Sequence, residues 1–279
     1  MSFDPIVPVG GVAGYRLLVR TETTQRAVFD RQPEIARDVA YFKENIAKVT
    51  SAEELVADRR LLTVALGAFG LGDEIDKKAF IRKILAEGTE NQDALANKFV
   101  DPRYGEIAKA FGFGNLAGAR TGDPGFGERI TDAYRVRAFE IAVGEQDESL
   151  RLALNFRREI GKFANASDPV STAWLSALGD QPVRAVLEGA FNLPAGFSQL
   201  DVDRQREELQ RVALRDFGSK SMAVFNDPVN VDQAINRYLI RKSIENGPSA
   251  STPGMAALSL LQGSVGPSAA QNLLLSNLG

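Results

Sequence analysis

Apolar residues recur at intervals of three and four through most of this chain, which is the spacing of a buried helix face. Ile35, Val39, Phe42 and Ile46 follow this spacing in the segment after Pro33. The same pattern continues at residues 51–69, 77–88, 130–144, 147–163, 201–218 and 229–245. No convincing run alternates between apolar and polar residues as a half-buried strand requires. The pattern therefore predicts an all-α protein.

Several of these segments carry residues that begin or end helices. Ser51 and Glu54 have the spacing of a capping box, in which each side chain can satisfy a free backbone N–H of the first turn. Asp-Pro pairs predict three helix starts, because aspartate favours the N-cap and proline the first helical position. These pairs are at residues 101–102, 168–169 and 227–228. Gly70 and Gly72 are typical of a helix end.

Three predicted helices share the same ending, an alanine followed by a phenylalanine. The phenylalanines are Phe69, Phe111 and Phe191, and an aspartate able to cap the helix precedes each of them, at positions 58, 101 and 180. Each phenylalanine closes an apolar stripe, so we expect all three to be buried. The uneven spacing of the three units argues against a regular solenoid. We predict a globular multi-helix bundle with degenerate internal helix-pair repeats.

Changes in composition divide the chain into five segments. Residues 1–13 are rich in Pro, Gly and Val and are expected to be flexible. A glycine-rich loop at 113–128 separates an N-terminal helical part, 14–112, from a C-terminal helical part, 129–245. These two parts form either one domain or two closely packed lobes. This loop lacks the residue order and the preceding strand of a phosphate-binding loop. Residues 246–279 change to Gly, Pro, Ser and short apolar groups, which predicts a linker and a weakly structured tail.

The charges and the missing residue types exclude several kinds of function. The 279 residues include 33 basic and 36 acidic side chains, for a net charge of −3. We expect no nucleic-acid partner, because phosphate binding requires a basic face. The chain has no cysteine and no histidine. A Ser-His-Asp triad, a Cys-His pair and a histidine or thiolate zinc site are therefore impossible, and we predict no catalytic residue, cofactor or metal.

Three stretches of the chain resemble a known family. Residues 55–114 begin LVADRRLLTVALGAFGLGDEIDKKAFIRKILAEG and end DPRYGEIAKAFGFG; the other two stretches read GEQDESLRLALNFRREI and LPAGFSQLDVDRQ. They are similar to a bacterial family of helical proteins of unknown function, found mainly in alphaproteobacteria and often encoded among flagellar genes. The resemblance covers roughly residues 10–245. It implies a setting in flagellum assembly or function, and it implies no catalytic residues.

The enzymatic alternative is a carboxylate-based hydrolase of the cell-wall type. Such an enzyme needs two carboxylates about 5–10 Å apart, one of them with a raised pKa. Glu145, Asp147 and Glu148 form one acidic cluster, and Asp201 and Asp203 form another. Both clusters stand at predicted helix N-termini, where the helix dipole lowers the pKa of a carboxylate. Because a general acid needs a raised pKa, we favour a non-enzymatic protein that acts through protein–protein contacts.

Two groups of residues are candidates for contact with a protein partner. Arg59, Arg60, Arg103 and Arg184 closely follow helix caps, and they form either ordinary surface ion pairs or a shared basic ridge. The second group lies in the tail, where Leu273, Leu274, Leu275 and Leu278 are costly to leave exposed. We expect this tail to dock onto the protein's own body, a second copy or an assembly partner. The alternative to reversible docking is that the tail packs permanently as a final helix.

The cellular setting follows from what the sequence lacks. No apolar run reaches the roughly 20 residues of a membrane span, and the N-terminus does not read as a secretory signal. We therefore expect a cytoplasmic protein, or one exported with the flagellum by a route that uses no signal peptide. An exported structural subunit is a further alternative. Flagellar axial subunits generally carry long heptad-like termini, however, and this N-terminus has none.

Overall fold

The computed structural model describes residues 3–194 and 196–247. Within these ranges the chain is built from α-helices and short 3₁₀ turns, with no β-strand. The helices are α1 (Gly11–Phe29), α2 (Pro33–Asn45), α3 (Ala52–Ala57), α4 (Arg59–Ala68), α5 (Lys78–Glu87), α6 (Leu95–Lys98), α7 (Pro102–Phe111), α8 (Phe126–Gly144), α9 (Glu148–Ala164), α10 (Thr172–Gly179), α11 (Gln181–Ala190), α12 (Val202–Phe217) and α13 (Pro228–Glu245). The predicted all-α fold is confirmed.

The helices surround two large apolar cores that meet along α8, and a small third cluster joins α5, α6 and α7. The first core comprises α2–α5 and α7 with the N-terminal half of α8, which contributes Phe126 and Ile130. The second comprises α1 and α9–α13 with the C-terminal half of α8, which contributes Phe139 and Val143. Helix α8 is thus a wall shared by two lobes. This grouping differs from the expected division, because α1 packs mainly on α9 and α13 and not on the helices that follow it.

Aspartate side chains begin the helices as their positions in the sequence suggest. Asp58, Asp101 and Asp180 each accept a backbone N–H from the first turn of α4, α7 and α11, at 2.9–3.1 Å. Asp227 caps α13 in the same way. The predicted helix start at residues 168–169 is wrong, because α10 begins at Thr172 with Ser171 at its N-cap position; Asp168 accepts N–H groups from the turn that leads into this helix. Short-range capping chemistry therefore sets these boundaries.

The three repeated phenylalanines occupy unequal environments. Phe111 and Phe191 are 0% and 2% exposed, one in each core. Phe69 packs against the first core but is only half-buried, although Phe69 and Phe191 both form the C-cap of their helix. The prediction of burial holds for Phe111 and Phe191, and it is corrected for Phe69.

Two glutamine side chains bind the backbone of the N-terminal residues. Helix α1 begins at Gly11 and not at residue 14, and residues 3–10 run extended beside it. The side-chain amide of Gln25 accepts from the Ile6 N–H at 2.6 Å and donates to its carbonyl at 3.3 Å. Gln32 pairs with both backbone groups of Phe3 in the same manner. These amides take the place of the partners that a neighbouring strand would supply, and the flexibility of residues 1–13 stays a prediction.

The glycine-rich segment forms a series of turns and ends earlier than expected, since α8 already begins at Phe126.

None of the helices in the described ranges is long and apolar enough to cross a membrane. The predictions for the tail, including those for Leu273, Leu274, Leu275 and Leu278, concern residues that lie outside the described ranges.

Candidate functional site

Two of the predicted arginines lie together at the start of α4, and each already has a partner. Arg59 forms an exposed ion pair with Asp76 at 3.0 Å. The guanidinium of Arg60 stacks on the ring of Tyr41, 3.9 Å from its centroid. An exposed pair of this kind contributes little to stability or binding by itself.

The other two arginines lie elsewhere. Arg103 binds the carboxylate of Asp101 at 2.7 Å and donates to the carbonyl of Gly70, which follows the far end of α4. Since α4 rises about 1.5 Å per residue, this position is about 15 Å from the start of that helix. Arg184 pairs with Glu188 along α11 at 2.7 Å. The structure does not gather the four arginines into one ridge, and their contact with a partner stays a prediction.

The acidic clusters serve mainly as helix caps and ion pairs. Asp147 accepts N–H groups at the start of α9, and Asp201 does so at the start of α12. Glu148 binds Arg151 one turn further along α9. Within the described ranges, no group of three or more acidic side chains is placed to hold a metal ion.

A cleft of about 650 Å³ lies where the two lobes meet. Its walls are the C-terminal end of α4 and the start of α7 on one side, and parts of α8, α9 and α11 on the other. Charged side chains of both signs line it: Asp73, Arg103, Arg137, Glu140, Glu145, Glu148, Arg151, Glu159 and Asp180. The cleft thus carries nine charged side chains of both signs.

A buried network of ion pairs forms the wall of this cleft. Arg137 of α8 donates to Glu159 of α9 at 2.8 Å, and Glu159 also contacts Arg158 and Lys162. Arg158 binds Glu140 through two hydrogen bonds of 2.8 Å. Burial lowers the pKa of Arg137 to about 10, with a further contribution from the neighbouring Arg158 charge. Glu106, which pairs with Lys162 at 3.1 Å, balances the third cation, and the network fastens α8 to α9.

Asp180 is the carboxyl group of the cleft that differs from the others. It is 5% exposed, and its Oδ1 accepts the Val183 N–H at 3.1 Å. Burial raises the pKa of Asp180, and the opposing effects of that N–H and of the Arg103 charge do not cancel the shift. This is the direction that a general acid requires. Sequence reasoning identified Asp180 only as a cap, because its burial depends on the neighbouring lobe.

A second concave surface, the α13 groove, lies at the other end of the C-terminal lobe. It has a volume of about 600 Å³, and it is formed by the ends of α11, α12 and α13. The groove is lined by Gly189, Ala190, Phe191, Asn192, Arg215, Asp216, Arg237, Ile240, Arg241, Ile244 and Glu245. Ile240 and Ile244 stand one turn apart on α13 and are 53% and 75% exposed. They form an uncovered apolar stripe.

Tight packing fixes the shape of the α13 groove. A Cβ atom at Gly189 would lie 2.6 Å from the Tyr238 ring, so only glycine allows α11 to approach α13 this closely. Phe191 then packs against the tilted rings of Trp174 and Phe217, whose centroids lie 6.2 and 6.0 Å from its own. The floor of the groove is therefore rigid and preformed.

The charges around the α13 groove are already satisfied. Asp216 accepts from Arg215 at 2.6 Å and from Arg237 at 2.5 Å, and the Arg215 hydrogen bond is the main reason that the pKa of Asp216 is lowered. Arg241 pairs with Glu245 at 3.0 Å. Because the rim charges pair with one another, the unsatisfied feature of this groove is its apolar surface. Such a surface suits an apolar guest.

Sequence reasoning missed this groove. The spacing along α13 predicted one face formed by Val231, Ile235, Tyr238, Leu239 and Lys242; the first four are buried, whereas Lys242 is half-buried. Ile240 and Ile244 lie off that face, at positions where a solvated helix usually carries polar residues. Two exposed isoleucines spaced by four were therefore the available signal.

The sequence profile of a family described as "Protein of unknown function (DUF1217)" matches residues 68–231. The chain belongs to the DUF1217 family. The match runs from the end of α4 into α13, so it includes most of the interlobe cleft and the α11 and α12 walls of the groove. It ends before Ile240 and Ile244. The resemblance to a helical family of unknown function is confirmed.

One solved structure is similar to this chain over most of its length. The X-ray structure of protein AGR_C_984 from Agrobacterium tumefaciens matches 88% of this chain and 100% of its own, at 29% sequence identity and a TM-score of 0.70. Its source is an alphaproteobacterium. No curated protein matches the chain.

Proposed function

We propose that this DUF1217 protein is a non-catalytic, protein-binding component of flagellum assembly or function. The observation that carries the proposal is the α13 groove, a preformed apolar surface at the end of a rigid helical lobe. Its rim charges are internally paired, so binding there would gain mainly from the burial of apolar surface. The flagellar setting comes from the family resemblance of the sequence.

The shape of the groove specifies the chemistry of the partner. An amphipathic helix places apolar side chains at positions i, i+3 and i+4, and this spacing complements a stripe such as Ile240 and Ile244. Full burial of one isoleucine contributes about 1.5–3 kcal/mol. Since these two are already partly covered, a partner would gain about 2–4 kcal/mol from them. We therefore expect an amphipathic helical segment of a flagellar protein as the partner.

Affinity capture from motile cells, followed by mass spectrometry, tests this function. We would compare the wild-type chain with the double variant Ile240→Gln/Ile244→Gln, in which glutamine keeps the helix propensity and removes the apolar stripe. Val229→Gln is the matched control, because Val229 lies at the other end of α13 and is 69% exposed. Far-UV circular dichroism would show that all three chains are equally folded.

We expect the wild type and the control to retain flagellar proteins and the double variant to lose them. The proposal fails if no flagellar protein is retained, or if the three chains retain the same set. Recovery of the chain as a stoichiometric part of purified flagella would instead support the exported structural subunit.

A carboxylate-based hydrolase is the second candidate, and Asp180 is the observation that favours it. Asp180 combines a raised pKa with a position in the cleft. Glu140 and Glu159, the other buried acids there, are held by arginines and are poorly suited to act as the second carboxylate. Hydrolysis of purified cell wall by the wild type, abolished by Asp180→Asn, would establish this alternative.

A further inference from the structure

Helix α13 ends at the rim of the α13 groove. Ile244 and Glu245, the last residues of the helix, line the groove. Gly247 follows with a φ of +65°, in the left-handed region that turns the chain away from the helix axis. The described chain therefore ends close to this apolar surface, and residues 248–279 follow it in the sequence.

The composition of residues 248–279 matches an apolar surface whose charges are already paired. This segment contains no charged residue, and its one run of three consecutive leucines is Leu273, Leu274 and Leu275, with Leu278 three residues further on. Leu274 and Leu278 have the same spacing of four as Ile240 and Ile244. Contact between the leucines and the groove would remove branched apolar side chains of both from water.

We propose that residues 273–278 occupy the α13 groove of their own chain when no partner is bound. This regulation rests on the proposed function, because the tail would compete with the partner for the same surface. Residues 248–272 supply ample reach, since an extended chain spans about 3.3 Å per residue. A tethered segment also binds at a high effective concentration, on the order of millimolar. A second copy would lack that advantage.

Energy transfer within the purified full-length chain tests the proposal. Trp174 is the single tryptophan, and its ring packs beside Phe191 of the groove floor, so it is a built-in donor. The chain has no cysteine, so Ser276→Cys creates one labelling site for an acceptor dye next to the four leucines. The same label would be placed in chains that also carry Ile240→Gln/Ile244→Gln, Val229→Gln or Leu274→Gln/Leu275→Gln.

We expect strong transfer in the singly labelled chain and with Val229→Gln, unchanged on dilution. Both double variants should lose most of the transfer, while their circular dichroism stays the same. Weak transfer in the otherwise unaltered chain, or transfer that the groove variant does not reduce, would overturn the proposal. Transfer that rises with protein concentration would assign the groove to a second copy, which also overturns it. Because no partner is present, failure here is distinguishable from failure of the proposed function.

Discussion

The ion-pair network of the interlobe cleft makes a prediction about stability that depends on which partner is removed. Glu159 is 4% exposed and faces the cations of Arg137, Arg158 and Lys162. Glu159→Gln keeps the shape but removes the anion, which leaves Arg137 as an uncompensated buried cation. Breaking a buried ion pair in this way costs about 3–5 kcal/mol. We expect Glu159→Gln to lose that amount of unfolding free energy.

The reverse substitution should cost less. Arg137→Met removes the most buried cation of the network, and Glu159 keeps Arg158 and Lys162 as partners. We therefore expect a loss of about 1 kcal/mol, since a hydrophobic replacement of a buried ion can be nearly neutral. Glu148→Gln is the control, because the Glu148 side chain is 58% exposed and its pair with Arg151 contributes at most about 1 kcal/mol.

Urea unfolding followed by circular dichroism measures these three losses. The predicted order is Glu159→Gln well above Arg137→Met, with Glu148→Gln near the wild type. Equal losses for Glu159→Gln and Glu148→Gln would refute the account of the network. A loss for Arg137→Met that matches or exceeds the loss for Glu159→Gln would also refute it.

Two further predictions concern the cores and Asp180. Phe111→Ala should lower the free energy of unfolding in urea by about 3–5 kcal/mol, and Phe69→Ala by clearly less, because Phe69 is only half-buried. Equal losses for the two variants would contradict this difference in burial. Burial raises the pKa of Asp180 above its ordinary value of 3.8. Between these two values the folded state binds more protons than the unfolded state, so stability falls as the pH rises through this window. Asp180→Asn removes the cost of a buried charge at pH 7, so this variant should be at least as stable as the wild type. It should also be about 1 kcal/mol more stable than Asp180→Ala, because asparagine can still cap the helix. Unfolding curves at pH 4 and pH 7 check this, and a large loss for Asp180→Asn at pH 7 would show that its charge stabilises the fold.

Helix type and many helix starts could be predicted because they depend on nearby residues. The carboxylate of Asp101 reaches an N–H only two residues ahead, and Gly218 ends α12 in the left-handed conformation that its position suggests. Interactions of this kind are encoded within a few residues of sequence. The burial of Phe111 could also be read from the stripe that it closes.

Features that depend on distant packing could not be predicted in this way. The binding of Phe3 by Gln32 joins residues far apart in sequence, and no periodicity reports it. The opposition of Arg137 and Glu159 depends on the register of α8 against α9. The α13 groove requires three helix ends to meet, so Ile240 looks like an ordinary surface residue until the fold is known.

Photo-crosslinking from the groove in living, motile cells tests the central claim most directly. A photoreactive amino acid would replace Ile244, with the same replacement of Val229 as the control on the same helix. The account predicts that position 244 crosslinks to a flagellar protein, with a competing crosslink to residues 273–278 of its own chain, and that position 229 gives neither. Crosslinks to the same proteins from both positions, or none to a flagellar protein from position 244, would contradict the claim that the α13 groove is the partner-binding surface.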